Sequence, residues 1–400
     1  MATQHKLLEQ ILNIKLNANI LLYLSLMAVI FGFDGILKVV KPSYTETGSF
    51  NFFIGFIILS LHCFLYLRSY YLNLSNSIKP QEVYSIAFGL VLSVILLGYS
   101  LGYFELGKII RDIFYNFYFI VIFYVIYYFK KTEKLKFNTI LKLSFFIYFV
   151  VFNFLAVVLG NFDHEGRFTG MQLAASIYGG TACLMLITLL ESDLGKFNKV
   201  FYFSIGVTFL LLSGTRGAVL SLIVYFSFSL YRTFGKNKVL QTIILMLVLS
   251  IVGIIVLKID QITAAMSALS SLRFASTADL EGGSLGTRLT WYLMILVDLY
   301  DRSLIGGFGG GAAEKLTGHI THFDLLRFWY DYSIFFIVVQ LMLFIYMIKA
   351  INPNWFLIFL YLCAQYLLFS LHNIFQAPTM LLTFALSLVV LASKNKNKYE

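Results

Sequence analysis

Apolar runs of about 20 residues recur from one end of this 400-residue chain to the other. That is the length a helix needs to cross a hydrocarbon core about 30 Å thick. Lipid offers the backbone no hydrogen-bond partners, so a chain that spans it repeatedly must satisfy its amides within helices or a closed barrel. The runs lie near 18–37, 50–67, 84–102, 113–129, 141–159, 172–190, 197–212, 217–231, 239–257, 328–348, 355–370 and 375–392. The expected fold is therefore all-α: a polytopic integral membrane protein of about 12 transmembrane helices. It forms a single transmembrane domain over 1–400, with one large loop, 258–327, inserted within it.

Charge supports this and gives a direction. Only 12% of residues are charged, against about 25% in soluble proteins. The net charge of +10 would suggest nucleic acid in a soluble protein. Here the positive-inside rule accounts for it, and no nucleic-acid partner is expected. With both termini cytoplasmic, the inner turns and termini collect 18 of the 30 Lys and Arg residues, and the short outer loops only six. Inner basic residues are mostly Lys. The outer face after residue 160 carries mostly Arg, whose planar fork binds phosphate bidentately and stays charged when partly buried. Cys63, Cys183 and Cys363 all fall in apolar runs with no disulfide or metal spacing, so they read as core or lipid-facing side chains.

Arg216 is the sharpest single residue, in Leu212-Ser213-Gly214-Thr215-Arg216-Gly217-Ala218 between two spans that form a tight hairpin. A charge at that depth costs about 2.5–3.5 kcal/mol at a helix centre. It also stands near the start of the eighth helix, where backbone N–H groups and the dipole favour an anion. Arginine at a helix N-terminus is a phosphate site in miniature; the plainer reading is an Arg that snorkels to lipid headgroups. Arg288, preceded by Gly286-Thr287, opens a loop helix expected over 286–300. Across the same face as Arg216 it makes half of a diphosphate clamp. Arg167, in a polar turn between two spans, is a third cation. Residues 301–320 read as irregular, and Thr321–Arg327 as the lead into the tenth span.

His322 is placed to act as a base or hydrogen-bond donor near neutral pH, with His319 three residues before it and Asp324 two after. His-X-X-His spacing admits a metal, but a catalytic zinc site takes three protein ligands and no Cys or further His lies nearby, so no metal is expected. The cluster Gly306-Gly307-Phe308-Gly309-Gly310-Gly311 lacks the Lys-Ser/Thr of a P-loop and reads as tightly turned backbone around a site. His372 sits in the last outer turn, on the same face as the arginines or as part of a structural turn.

Four segments in order carry a resemblance. Gly166-Arg167-Phe168-Thr169-Gly170, Ser213-Gly214-Thr215-Arg216-Gly217, Arg288 with Trp291 and Ile305-Gly306-Gly307-Phe308-Gly309, and Thr321–Arg327 running to Tyr330-Asp331-Tyr332-Ser333-Ile334 resemble the motifs of the O-antigen polymerase and O-antigen ligase superfamily of bacterial membrane glycosyltransferases. The chain departs from the pattern at Phe323, where the family often has Asn, and at Ser333, where it often has Gly. Asp324-Leu325-Leu326-Arg327 with Tyr330-Asp331-Tyr332 looks closer to polymerases than to ligases.

The resemblance implies a GT-C-like glycosyltransferase in the bacterial inner membrane with a periplasmic active site. It implies transfer of a glycan from an undecaprenyl-pyrophosphate donor to a lipid-linked repeat unit, without cofactor or metal, and leaves a chain-length regulator protein open as a partner. Arg216, Arg288 and His322 would be catalytic. Arg167, His319, Asp324, Arg327 and His372 would bind substrate. An O-antigen ligase acting on lipid A-core shares the fold. A polysaccharide flippase is the reading from another class, against which stand the one-sided polar load and the lack of an inverted repeat.

Overall fold

The computed structural model describes residues 80–100, 106–132, 134–163, 166–172, 174–234, 284–318, 323–352, 355–370 and 378–394. Regular structure there is helical, apart from one isolated bridge between Phe162 and Phe168. In chain order the helices are α1 (Pro80–Ser100), α2 (Leu106–Thr132), α3 (Lys134–Phe146), α4 (Asn153–Val158), α5 (Ala175–Glu191), α6 (Lys196–Leu212), α7 (Arg216–Phe234), α8 (Ser284–Arg302), α9 (Ala312–Thr317), α10 (Asp324–Tyr332), α11 (Ile334–Ile351), α12 (Trp355–Ser370) and α13 (Pro378–Lys394). A π-helical turn, Ile147–Phe152, joins α3 to α4. Helices overlie the nine expected spans that fall largely among the described residues, the one near 328–348 being divided between α10 and α11. Those near 18–37, 50–67 and 239–257 lie outside the described residues.

Among the described residues, three helical stretches are long and apolar enough to cross a membrane: Gly107–Lys131, Phe137–Val158 and Ile334–Ile351. The described residues are thus all-helical, with the helices of a membrane protein. At its centre runs α13. Every residue from Thr379 to Ala392 is buried, packed against α5 and α2, as expected for a helix apolar all round. Its hydroxyls are returned to its own backbone, Thr383 Oγ1 to Thr379 O at 2.9 Å and Ser387 Oγ to Phe384 O at 2.9 Å, so none is left unsatisfied in the core. α1 lies along α11, and α12 along α7. Gly206 of α6 admits Leu186 and Phe149, each 2.7 Å from where a Cβ would sit; a small residue at that crossing lets helices approach closely.

The turns gather at two ends. One end is marked by Lys130 donating to Val390 O (3.4 Å), Asn352 to Ala392 O (2.8 Å), Lys199 to Leu190 O (2.8 Å) and Arg232 to the buried Glu191 (2.6 Å). The opposite end holds residues 159–174, the turn 213–215 and the excursion from α8 to α10.

The excursion differs from expectation in two places. A short helix, α9, interrupts the stretch read as irregular. The tenth span also does not run on from residue 328: α10 ends at Tyr332, and α11 starts afresh at Ile334. The break is Ser333, at φ 85° and ψ 163°, where a Cβ is strained. Its hydroxyl is buried without a hydrogen-bond partner. Ser333→Gly is expected to stabilise the protein by about 1–2 kcal/mol, the strain relieved less the added freedom of the unfolded chain. Thermal unfolding in detergent measures this as a higher midpoint; a lower one would show that the backbone there is unstrained.

Candidate functional site: the arginine-bearing end of the bundle

The loop that carries Arg167 is built on Asp163. Its carboxylate accepts the Arg167 backbone N–H (2.9 Å) and pairs with Arg167 Nε (2.7 Å). Beside it, Phe168 is buried in a cage of Phe162, Tyr178 and Phe209, and its N–H donates to Leu212 O at 3.1 Å. This fixes the loop on the turn between α6 and α7. That turn is held in its own right: Ser213 Oγ donates to Leu210 O (2.6 Å) and Thr215 Oγ1 to Ala175 O (2.9 Å). A Cβ at Gly214 would lie 3.3 Å from Arg167 Cδ, so the Arg167 stem runs across the turn. The hydroxyls of the Ser213-x-Thr215 pattern thus hold the turn that delivers Arg216.

Arg216 is the first residue of α7, as the sequence placed it, but it is exposed. The protein itself does not bury the charge. What remains is a cation beside helix-terminal N–H groups that have no intrahelical acceptor, the setting that favours an anion.

The excursion folds over a small apolar core of its own: Ile295, Leu299, Ala312, Ala313, Leu326 and Tyr330. Its glycine cluster is turned backbone, clamped to α10. Gly307 and Phe308 N–H donate to Tyr330 O (2.9 and 3.0 Å), and Gly309 N–H to Asp331 O (2.9 Å). The Asp331 carboxylate accepts Gly311 N–H (3.1 Å) and Ala313 N–H (2.8 Å). Burial pushes the Asp331 carboxyl up to about 7, against the downward pull of Arg327 and of those two donors.

Gly306 has φ +74°, and a Cβ there would come 2.2 Å from Trp329 O. Gly306→Ala is expected to cost about 2–4 kcal/mol, combining φ strain with a backbone clash. Gly318→Ala, at φ +72° with nothing within 4 Å, isolates the strain: its midpoint shift should be clearly smaller. Equal shifts would remove the clash from the account. On the outer side of this loop Tyr330 donates to Asp298 (2.5 Å), and the Arg302 guanidinium sits 4.1 Å over the Phe308 ring. Burial, with that hydrogen bond, holds the Tyr330 phenol above its ordinary range.

Arg327 and Asp324, expected to bind substrate, are turned into the protein. Arg327 is 1% exposed. Its guanidinium grips Asp112 of α2 with both nitrogens, at 2.8 and 3.3 Å. Asp324 stands 3.5 Å from Arg327, and Tyr332 donates to Asp112 at 2.9 Å. The cluster ties α10 to the bundle, with Arg327 Nε buried and without a hydrogen-bond partner. Asp112 was missed in the sequence because the fourth span was started at residue 113. A carboxylate in the first turns of a long apolar helix was the signal, since such a charge needs a buried partner.

Arg288 lies on α8, which begins at Ser284. It is therefore past the first helical turn rather than at the opening of the helix. His319, His322 and His372 lie outside the described residues. The structure thus brings Arg167 to the turn that bears Arg216, and Asp324 to Arg327. Among the described residues no three His, Cys, Asp or Glu side chains gather where they would hold a metal ion. No protein-family model, curated protein or solved structure matches this chain.

Proposed function

We propose that the chain is a membrane glycosyltransferase of the O-antigen polymerase kind, extending a glycan at the outer face of the bacterial inner membrane. In this reading the lysine-rich end faces the cytoplasm, about twelve spans cross the bilayer, and the end bearing Arg167 and Arg216 is periplasmic. One observation carries the reading. Two arginine turns, far apart in sequence, are docked on each other at the end of the bundle that also holds the excursion. The reaction needs such an arrangement. Its donor is a polyprenyl tail bearing a diphosphate, so fixed cations must stand where lipid meets water. Its leaving group is a diphosphate whose charge grows as the glycosidic bond breaks, and cations aimed at developing charge lower that barrier. Arg216 and Arg288 take this role, with Arg167 as support. His322 takes the proton of the acceptor hydroxyl or orients the diphosphate, and His319 and His372 contact substrate.

The test is reconstitution of the purified chain into vesicles with undecaprenyl-pyrophosphate-linked repeat units from its own source. A ladder of longer lipid-linked glycans is expected. Transfer only to added lipid A-core would make it a ligase. Movement of lipid-linked glycan across the bilayer without extension would make it a flippase, and either result overturns the proposal.

A further inference from the structure

α8 carries two apolar stripes. One, Tyr292, Ile295 and Leu299, packs into the small core of the excursion. The other, Leu293, Leu296, Val297 and Tyr300, falls at i, i+3, i+4 and i+7, the spacing of a single helix face, and its members are 43–77% exposed. Leu304 and Ile305 extend it and are exposed too. Thr290, Met294, Asp298, Asp301 and Arg302, with Trp291, fill the remaining sector of the helix, which is thus mostly but not wholly polar. Scattered exposed apolar residues need no explanation, but a contiguous row does.

Its position indicates what covers it. The carbonyl of Ile305 accepts the N–H of Ile334 at 2.9 Å, and Ile334 is the first residue of the membrane-length helix α11. Directly beyond, Phe335, Val338 and Met342 of α11 are exposed along one face. For a helix of that length and composition, this is the face lipid covers. The exposed row of α8 thus ends against the start of a lipid-facing row.

We propose that α8 is an interfacial helix, whose Leu293, Leu296, Val297 and Tyr300, with Leu304 and Ile305, insert into bilayer lipid at the level where α11 begins. Helices with one apolar and one charged face settle about 5–10 Å into the headgroup boundary. The excursion is then not a free lid in water. It is anchored in the membrane from which a lipid-linked substrate would arrive, and α8, the helix that bears Arg288, is held at headgroup depth. The inference rests on α11 being a span and not on glycosyl transfer, so it stands or falls apart from the reading above.

The test uses the full chain with Cys63, Cys183 and Cys363 replaced by Ala and a single new cysteine at Leu296→Cys, Tyr300→Cys or Asp301→Cys. Each is labelled with an environment-sensitive fluorophore and reconstituted in phosphatidylcholine vesicles. At 296 and 300, lipid brominated high on its acyl chain is expected to remove most of the fluorescence and aqueous iodide little, with the order reversed at 301. Iodide quenching at 296 and 300 would place the row in water. Quenching by neither agent would show that another segment of the chain covers it. Either result overturns the proposal.

Discussion

Arg327→Ala is expected to destabilise the protein by about 3–5 kcal/mol, because removing one partner of a buried ion pair leaves an uncompensated charge. Asp112 is fully buried, and its near neighbours Asp324 and Asp331 are as well. Arg327 is the cation that stands 2.8 Å from Asp112 and 3.5 Å from Asp324. Without it, Asp324 and Asp331 lose their nearby cation and Asp112 keeps only Arg111, 3.7 Å away, at the junction of α2 and α10. The loss should appear as a large fall in the thermal midpoint in detergent and in the yield of folded protein. The double variant Asp112→Leu with Arg327→Met removes that pair while keeping bulk, but it leaves Asp324 buried without its cation and Arg111 without Asp112, so it should recover only part of the loss. If Arg327→Ala instead kept its midpoint while losing activity, Arg327 would be a substrate contact after all and the buried cluster would not hold the excursion in place.

Arg216→Ala is expected to do the opposite. Arg216 is exposed, and surface substitutions usually change stability by less than about 0.5 kcal/mol, so the midpoint should hardly move. Chain extension in the reconstituted assay should fall by about 10²–10³-fold, the usual effect of removing one preorganised donor from a developing charge. Arg216→Lys keeps the charge without the fork and should recover only part of the rate. An Ala variant that extends glycans at the full rate would sink the diphosphate role.

Together the two variants separate what was undifferentiated in the sequence. Both arginines stand in segments rich in motif residues, and the sequence offers both to substrate, Arg216 as half of a diphosphate clamp and Arg327 as a substrate contact. Their surroundings divide them. Arg216 begins a helix whose Ser213 and Thr215 hydroxyls hold the turn below it, which leaves its side chain outward. Arg327 sits on the buried face of a short helix, among Phe328, Tyr332 and Asp112. The distinction was illegible because it depends on α2, whose Asp112 is 215 residues away in sequence. Ser333 was different: it was legible as a departure from a glycine pattern, and the backbone at φ 85° gives the departure a physical meaning.

The sequence alone determined the helices and their alternation. The length of an apolar run and the Gly-bearing turn between Leu212 and Arg216 are local properties, and a membrane requires each run to satisfy its own backbone. It also pointed Arg167, Arg216 and the glycine cluster to one end of the bundle, where the structure places them. Only the tertiary structure decided which of those charges face outward. It seated Arg167 across the turn of Arg216, folded Gly306–Gly311 onto α10, and closed Arg327 onto Asp112. The physical reason is that a charge's cost and its partner are set by what packs around it, and in this bundle those neighbours come from helices remote in the chain.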